Sequence, residues 1–485
     1  MMMTAAKRNI YARWLPVVAL LAAVPPYLMR QLWFDEALTV LNFAAPLESP
    51  ADIYTSYVIP NNHILFTMVI HYWIELHPSF LPWDLWLRLP SLFFAAGLLF
   101  YLGGRFRRCC GALPLAVVLT GMAISPPFLI YATAVRGYML GALLVALALG
   151  SALNFCAAYR LRDLVIYELC VFGAVLTVPS DMAAVVGALL FALPVLGRSF
   201  WKDWRFCLLV FAPAAAFLIA YLPIWSDFLK AARLGEGGQD RGASVVCVYL
   251  AVFAAFGVLP LLLFRRGARA WKHRDWHRLP RLLIWLLPIP AAWIFKAAPF
   301  PRVYFPLFPV LAVVVAAGLR DISLWNWKKR MPSRGMNHIV TLAIAMLTSF
   351  VLWAGLWRSQ PVLSAVSQRF GGDLDNLGDD FFRPYYLRRE HQPILAAEAL
   401  EKLKFKPIYF SFHSDPWSIM FYHRGSADSY LFDGPRGIVP KLPDGAAVVL
   451  RRDEDPYPVA LRFKKQLTQV AETPNCRIFV AEEPL

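Results

Sequence analysis

Long apolar runs separated by short basic connections fill residues 1–357, and a mixed polar segment follows them. Runs long enough to cross ~30 Å of hydrocarbon fall at 12–29, 86–104, 111–130, 137–157, 164–179, 182–197, 205–225, 244–264, 282–298, 303–319 and 338–357. They predict about eleven transmembrane helices. The first follows Lys7, Arg8 and Arg13 and has no persuasive small-x-small cleavage site, so it reads as an anchor. Segment 62–77 is different. His63, Thr67, His71 and Glu75 recur every fourth residue against Ile64, Leu65, Phe66, Val69, Ile70 and Trp73. On a helix this makes one slowly drifting polar stripe, the pattern of a helix lying in the membrane interface. Beyond 357 come a Gly/Asp-rich linker (Gly371 to Asp380) and a helical stretch around 391–405. Strand-like runs follow at Pro407–Phe412, Ala446–Leu450 and Arg477–Val480. The expected fold is a polytopic α-helical membrane protein: a module over 1–357, with a first outer loop 30–85 that carries the interfacial helix 62–77, and a small C-terminal α/β domain over 358–485.

Composition supports this and adds an orientation. The chain of 485 residues is 59% hydrophobic and 16% charged, with net charge +16. Soluble proteins carry about a quarter charged residues, and disorder, collagen and a small disulfide scaffold are all excluded. Residues 357–485 hold 17 Lys+Arg and 17 Asp+Glu, so the whole basic excess lies in the apolar part. A nucleic-acid partner, which would need that charge on one face, is set aside. With the N-terminus inside and 62–77 not crossing, 23 bases fall on the cytoplasmic side. Eight fall opposite: Arg30, Arg88, Arg136, Lys230, Arg233, Arg241, Lys296 and Arg302. If 62–77 crossed, every later cluster would change sides. Charge and periodicity therefore agree that it does not cross, and the tail is expected outside. Its single cysteine, Cys476, permits no disulfide within it.

The outward-facing residues supply the chemistry. Asp35 and Glu36 open an apolar helix-like stretch just after the first span. They suit helix capping and dipole complementarity, and equally a general base whose pKa burial tunes. Arg136 is the one charge of the second outer connection. It suits either a snorkelling interface arginine or a bidentate phosphate clamp. Lys296, Arg302 and Tyr304 offer cations and an interfacial aromatic in the last outer connection. Asp181 reads as a cap of the next span, and Glu168 as a partner of Arg160 or Arg162. His71 and Glu75 have metal-ligand spacing, but no third ligand is evident, so no metal site is assigned. Together these residues put a carboxylate and several cations on one side of the membrane. That set suits chemistry on a lipid-linked phosphate.

Phe34-Asp-Glu-Ala37 resembles the first-loop acidic motif of the GT-C glycosyltransferases, in their protein O-mannosyltransferase and aminoarabinose-transferase branch. Asn61-Asn-His-Ile-Leu-Phe-Thr-Met-Val-Ile-His-Tyr-Trp73, Trp86-Leu-Arg-Leu-Pro-Ser91, Ser125-Pro…Arg136-Gly-Tyr138 and Pro301-Arg-Val-Tyr304 are similar to later motifs of that branch, in order, over roughly residues 10–320. The resemblance implies a GT-C-like transferase of the bacterial cytoplasmic (inner) membrane, with its C-terminal domain periplasmic. It would move a sugar, with inversion, from a polyprenyl-phosphate-linked donor to a hydroxyl of a glycan, lipid or protein acceptor. By the same resemblance Asp35, with Glu36 beside it, is catalytic. Arg136, Tyr138, His63, Asn62, Lys296, Arg302, Tyr304 and Asp181 bind substrate. No cofactor is firmly implied, and a divalent cation remains an option. One departure stands out. Many relatives carry an acid two residues before the second-loop arginine, where this chain has Ala134, which leaves Glu36 or Asp181 as substitutes. The alternatives of another class are a transporter or flippase of a lipid-linked saccharide, and a scaffold displaying the tail. A transporter would place its ionisable groups near the bilayer midplane.

Overall fold

The computed structural model describes residues 5–58, 63–195, 203–234, 241–257, 259–260, 279–294, 301–325, 347, 391–404, 407–423, 428–432 and 441–483. The run 338–357 (all but Leu347), the linker 371–380, Asn62 and Lys296 lie outside them. The chain forms two compact units.

The larger unit comprises Met1–Leu28, Ser49–Trp73 and Trp86–Arg383. Four of its described helical stretches are long and apolar enough to cross a membrane alone: Trp83–Arg105, Tyr138–Ala158, Trp204–Ala231 and Arg302–Arg320. The run 111–130 is not one straight helix. Ala112–Ala123 and Pro126–Ala132 meet at 70°, because Pro126 and Pro127 remove two consecutive amide donors where the ladder would continue. The run 282–298 is likewise divided, into Leu279–Leu286 and Pro288–Ile294, at Pro288. Tyr138–Ala158 is apolar on all sides, as a buried helix must be. It packs against Leu161–Thr177 and Asp181–Ala192.

Arginines of the described basic connections bond to neighbouring segments. The Arg105 guanidinium donates to Gly150 O at 3.1 Å and to Asn154 Oδ1, and Asn154 in turn donates to Asp163. Arg205 donates to Tyr159 O at 3.2 Å, and Arg320 to Cys109 O at 2.6 Å. Arg205 and Arg320 thereby occupy carbonyls left open at helix C-termini. Glu168 departs from expectation. It forms no ion pair with Arg160 or Arg162, and its Oε1 is buried without a hydrogen-bond partner.

The segment expected to lie in the interface forms the helix Ile64–Glu75. Its polar stripe does not all face water. His63 and Thr67 are fully buried, His71 is half-buried and Glu75 is exposed. Four residues advance a helix by about 40° more than one turn, so the stripe rotates from the interior to the surface. Trp73 and Trp86 clasp the helix to Trp83–Arg105. Their rings stack at 4.2 Å, and each indole N–H donates to the other residue's carbonyl, at 2.9 and 3.0 Å.

The smaller unit comprises Met29–Glu48, Ile74–Leu85 and Pro384–Leu485. Its five-stranded sheet has the order β2-β1-β3-β5-β4, where β1 is Ile408–Phe410, β2 Ser429–Leu431, β3 Ala447–Arg451, β4 Gln466–Glu472 and β5 Cys476–Glu482. β1 pairs in parallel with β2 and β3, and β5 runs antiparallel to both β3 and β4. Period-two alternation splits the core. Ala447, Val449 and Ile478 pack with Ala396, Ala397 and Leu400 of the helix Pro393–Leu403. Val448, Leu450 and Phe479 face Val459 of the helix Tyr457–Phe463 instead. The expected C-terminal helix and all three expected strands are present. The sequence pattern does not mark β2, which is only three residues long, or β4, which shows almost no burial along its length.

Candidate active site

Within the smaller unit, the first outer loop enters a short helix at Phe34, which continues from Thr39 into a π-helical turn, Val40–Ala44. Trp33 at the N-cap has no side-chain acceptor, so the free amide is satisfied from inside the helix. Glu36 Oε2 accepts from Trp33 N–H at 3.2 Å and Oε1 from Arg30 Nη2 at 3.1 Å. Glu36 is fully buried, and both its oxygens are thereby engaged. Asp35, one residue earlier and about 100° around the helix, is half-buried. Its backbone carbonyl accepts from Thr39 Oγ1 at 2.8 Å, and the helix N-terminus favours its negative charge.

Within the larger unit, residues from four separate segments meet at the N-terminal end of Tyr138–Ala158. The bend at Ser125 redirects the chain through Pro126–Ala132 into the turn that carries Arg136, which is 3% exposed. Arg136 Nη1 donates to Tyr57 Oη at 3.1 Å. Gly137 N–H donates to His63 Nδ1 at 3.2 Å. That bond puts the imidazole proton on Nε2, which is buried without a hydrogen-bond partner among the described residues. Tyr138 stands edge-on to His63 at 4.7 Å, and Tyr131 bridges Tyr138 and Phe305, each at 4.9 Å. Burial first, then the positive fields of Arg136 and Arg302, hold the His63 imidazole well below its ordinary range. Ser180 Oγ donates to Val303 O at 3.4 Å, which ties the loop before Asp181 to the Arg302–Tyr304 stretch. The Tyr304 hydroxyl is buried without a partner.

Asp181 is not a side-chain cap. The N-cap position is Ser180, and both Asp181 carboxyl oxygens are buried without a hydrogen-bond partner among the described residues. The carboxyl lies against Gly141, where an added Cβ would come within 2.0 Å of Oδ2. One turn earlier a Cβ on Gly137 would meet Thr177 at 2.6 Å and His63 Nδ1 at 2.9 Å. Glycine at both positions opens one face of this helix to His63 and Asp181.

His63 gives a test in pH. At neutral pH the imidazole is uncharged both folded and unfolded. Below about 6.5 the unfolded chain takes up a proton that the buried ring refuses, so stability falls by up to about 1.4 kcal/mol per pH unit. Melting temperature is expected to drop between pH 7 and 5, and His63→Gln should flatten that drop. An identical slope in the variant would show that other groups set it.

Tyr57, Tyr131 and the two glycines were missed by the sequence. Nothing in their local pattern marks them, since only the fold brings them to Arg136. Arg88, counted among the outer-loop cations, is instead fully buried inside Trp83–Arg105. One turn on, Ser91 Oγ donates to the carbonyl of Ala134 at 2.5 Å. Among the described residues no three His, Cys, Asp or Glu side chains are grouped to hold a metal ion, and His71 and Glu75 gain no third ligand.

The whole chain superposes on the crystal structure of ArnT from Cupriavidus metallidurans bound to undecaprenyl phosphate, with a TM-score of 0.61, 14% identity and 98% of each chain covered. The fold is that of ArnT. The apo state of the same ArnT gives a TM-score of 0.58 at 15% identity, again over 98% of each chain. No protein-family model and no curated protein sequence matches the chain. At this identity the likeness to ArnT establishes architecture. It agrees with the sequence resemblance to the aminoarabinose-transferase branch of the GT-C enzymes, which rested on motifs in the same succession.

Proposed function

We propose that this protein is an integral membrane glycosyltransferase. It moves a sugar from a polyprenyl-phosphate-linked donor to an acceptor hydroxyl at the periplasmic face of the bacterial cytoplasmic membrane, with inversion. The observation that carries the reading is the meeting, in a chain of ArnT fold, of buried Arg136, half-buried Arg302 and a neutral, buried His63 whose Nε2–H has no partner among the described residues. One ArnT structure holds undecaprenyl phosphate, and the cation set here suits the same headgroup. Arg105 and Arg205 bond to Asn154 and Tyr159 at the opposite end of Tyr138–Ala158, about 30 Å away along 21 residues, which supports an orientation with the site outside.

In this reading Asp35 takes the proton of the acceptor hydroxyl as its oxygen attacks the anomeric carbon. The bond from that carbon to the phosphate oxygen breaks, and its electron pair leaves on polyprenyl phosphate. Arg136, with Arg302 and Lys296, neutralises the departing phosphate, while His63 Nε2–H donates to one of its oxygens. Tyr138, Tyr304 and Asn62 line the donor. Asp181, which needs a donor for its carboxyl, receives a sugar hydroxyl or amine and replaces the acid absent at Ala134. Glu36, held by Arg30 and Trp33, fixes the helix start.

Arg136→Ala should weaken undecaprenyl phosphate binding by about 10- to 100-fold, the worth of a charged hydrogen bond. Isothermal titration in detergent checks it. Unchanged affinity would remove the phosphate clamp, and donor flipping without transfer would point to a transporter.

A further inference from the structure

The segment that carries Asp35 is held by residues far away in sequence. Gln31 Oε1 accepts from Ile394 N–H at 3.1 Å, capping the helix Pro393–Leu403 in place of a local side chain. The next residue is tied through both backbone groups. Leu32 N–H donates to Tyr422 Oη at 2.8 Å, and Leu32 O accepts from His391 Nε2 at 3.4 Å. The Tyr422 hydroxyl passes its own proton toward Asp84 Oδ2 at 3.4 Å. Phe34, beside Asp35, stands edge-on to Trp417 at 4.5 Å and to Phe412 at 5.3 Å. The clamp is itself braced. His391 Nδ1 lies 3.4 Å from Asp415 Oδ2, and Ser418 Oγ donates to Asp415 Oδ1 at 2.7 Å. Leu32 and the Phe34 ring are thus both held by residues of 391–422, which contribute to the placement of this loop.

We propose that Tyr422 and Trp417 are positioning residues for Asp35, and that the C-terminal residues serve to hold the acid-bearing helix in its working orientation. The inference rests on Asp35 as the general base. A hydroxyl bridging a backbone amide and a carboxylate fixes the loop in translation, and two rings edge-on to Phe34 fix its rotation. A misplacement of about 1 Å at a reacting group can cost 100-fold in rate. The clamp therefore acts on turnover, while donor binding draws on residues of the other unit.

The test uses full-length protein in nanodiscs, undecaprenyl-phosphate aminoarabinose as donor and extracted envelope lipids as acceptor. Tyr422→Phe keeps the ring and removes both hydrogen bonds, and it should lower kcat about tenfold while the affinity for undecaprenyl phosphate changes less than twofold. Trp417→Ala should behave alike, and Trp417→Phe should restore most of the rate. Hydrogen exchange gives a readout free of turnover: amides of residues 30–39 should exchange faster in Tyr422→Phe, and those of 131–141 unchanged. Unaltered exchange at 30–39, or wild-type kcat in both Tyr422→Phe and Trp417→Ala, would overturn the proposal. So would a loss of donor affinity and melting temperature in step with kcat, since that is the mark of general destabilisation. Failure of the underlying reading is separate, because there Asp35→Asn itself would turn over normally.

Discussion

Asp35→Asn is expected to reduce sugar transfer by a factor of about 10² to 10⁴, the usual worth of a positioned general base, and to leave undecaprenyl phosphate binding within twofold. The amide is nearly isosteric and remains at the second position of its helix, so the fold should be unaffected. What it cannot do is accept a proton as the acceptor oxygen attacks. Binding should survive because Arg136, His63 and Arg302 sit in the other compact unit. Single-turnover transfer at saturating donor, beside titration of undecaprenyl phosphate, separates the two quantities. Undiminished transfer in the variant would remove Asp35 from the mechanism, and loss of both quantities together would point to misfolding. Asp35→Glu is expected to recover part of the rate, because it restores a base and moves it by about one methylene.

Glu36→Ala should act on stability first. Glu36 and Arg30 are 0% and 3% exposed at their side chains, and removing one member of a buried pair typically costs 3–5 kcal/mol because the other charge stays behind. The truncation also releases the Trp33 amide, worth about 1 kcal/mol more. Glu36→Gln keeps an acceptor for Trp33 N–H and should recover part of the loss. Thermal melts of the two variants, each paired with kcat, discriminate the possible roles. If Glu36 performs chemistry, Gln fails as fully as Ala at unchanged melting temperature. If it holds the helix, melting temperature and rate fall together and Gln is the milder.

The fold was legible where a single physical signal dominated. Apolar runs marked the helices of the larger unit because lipid demands them, and short continuous apolar runs marked β1, β3 and β5 because both faces of the sheet are covered. The signal failed where burial did not follow sequence. β4 is nearly all exposed, and the break at Ser125 depends on two prolines inside a run that is otherwise uniformly apolar. For the site, residue type was informative and partnership was not. Arg136 stood out as a lone charge, but Tyr57 lies 79 positions away and looks ordinary in its own context. Glu36 and Asp35 were indistinguishable as neighbours in sequence; geometry separates them by giving Glu36 two fixed donors. Asp181 read as a cap because acids at helix starts usually are caps. Only the opening at Gly141 shows that its carboxyl turns elsewhere.

The bond from Leu32 to Tyr422 spans 390 residues, and this has a consequence for timing. A ribosome adds roughly 5–20 residues per second, so the amide of Leu32 waits on the order of 20–80 s for the hydroxyl that completes it. Through that interval the acid-bearing loop exists without its brace. On the proposed clamp, a half-made chain would hold Asp35 unbraced, and full activity would begin only after residues 391–422 have been made and folded.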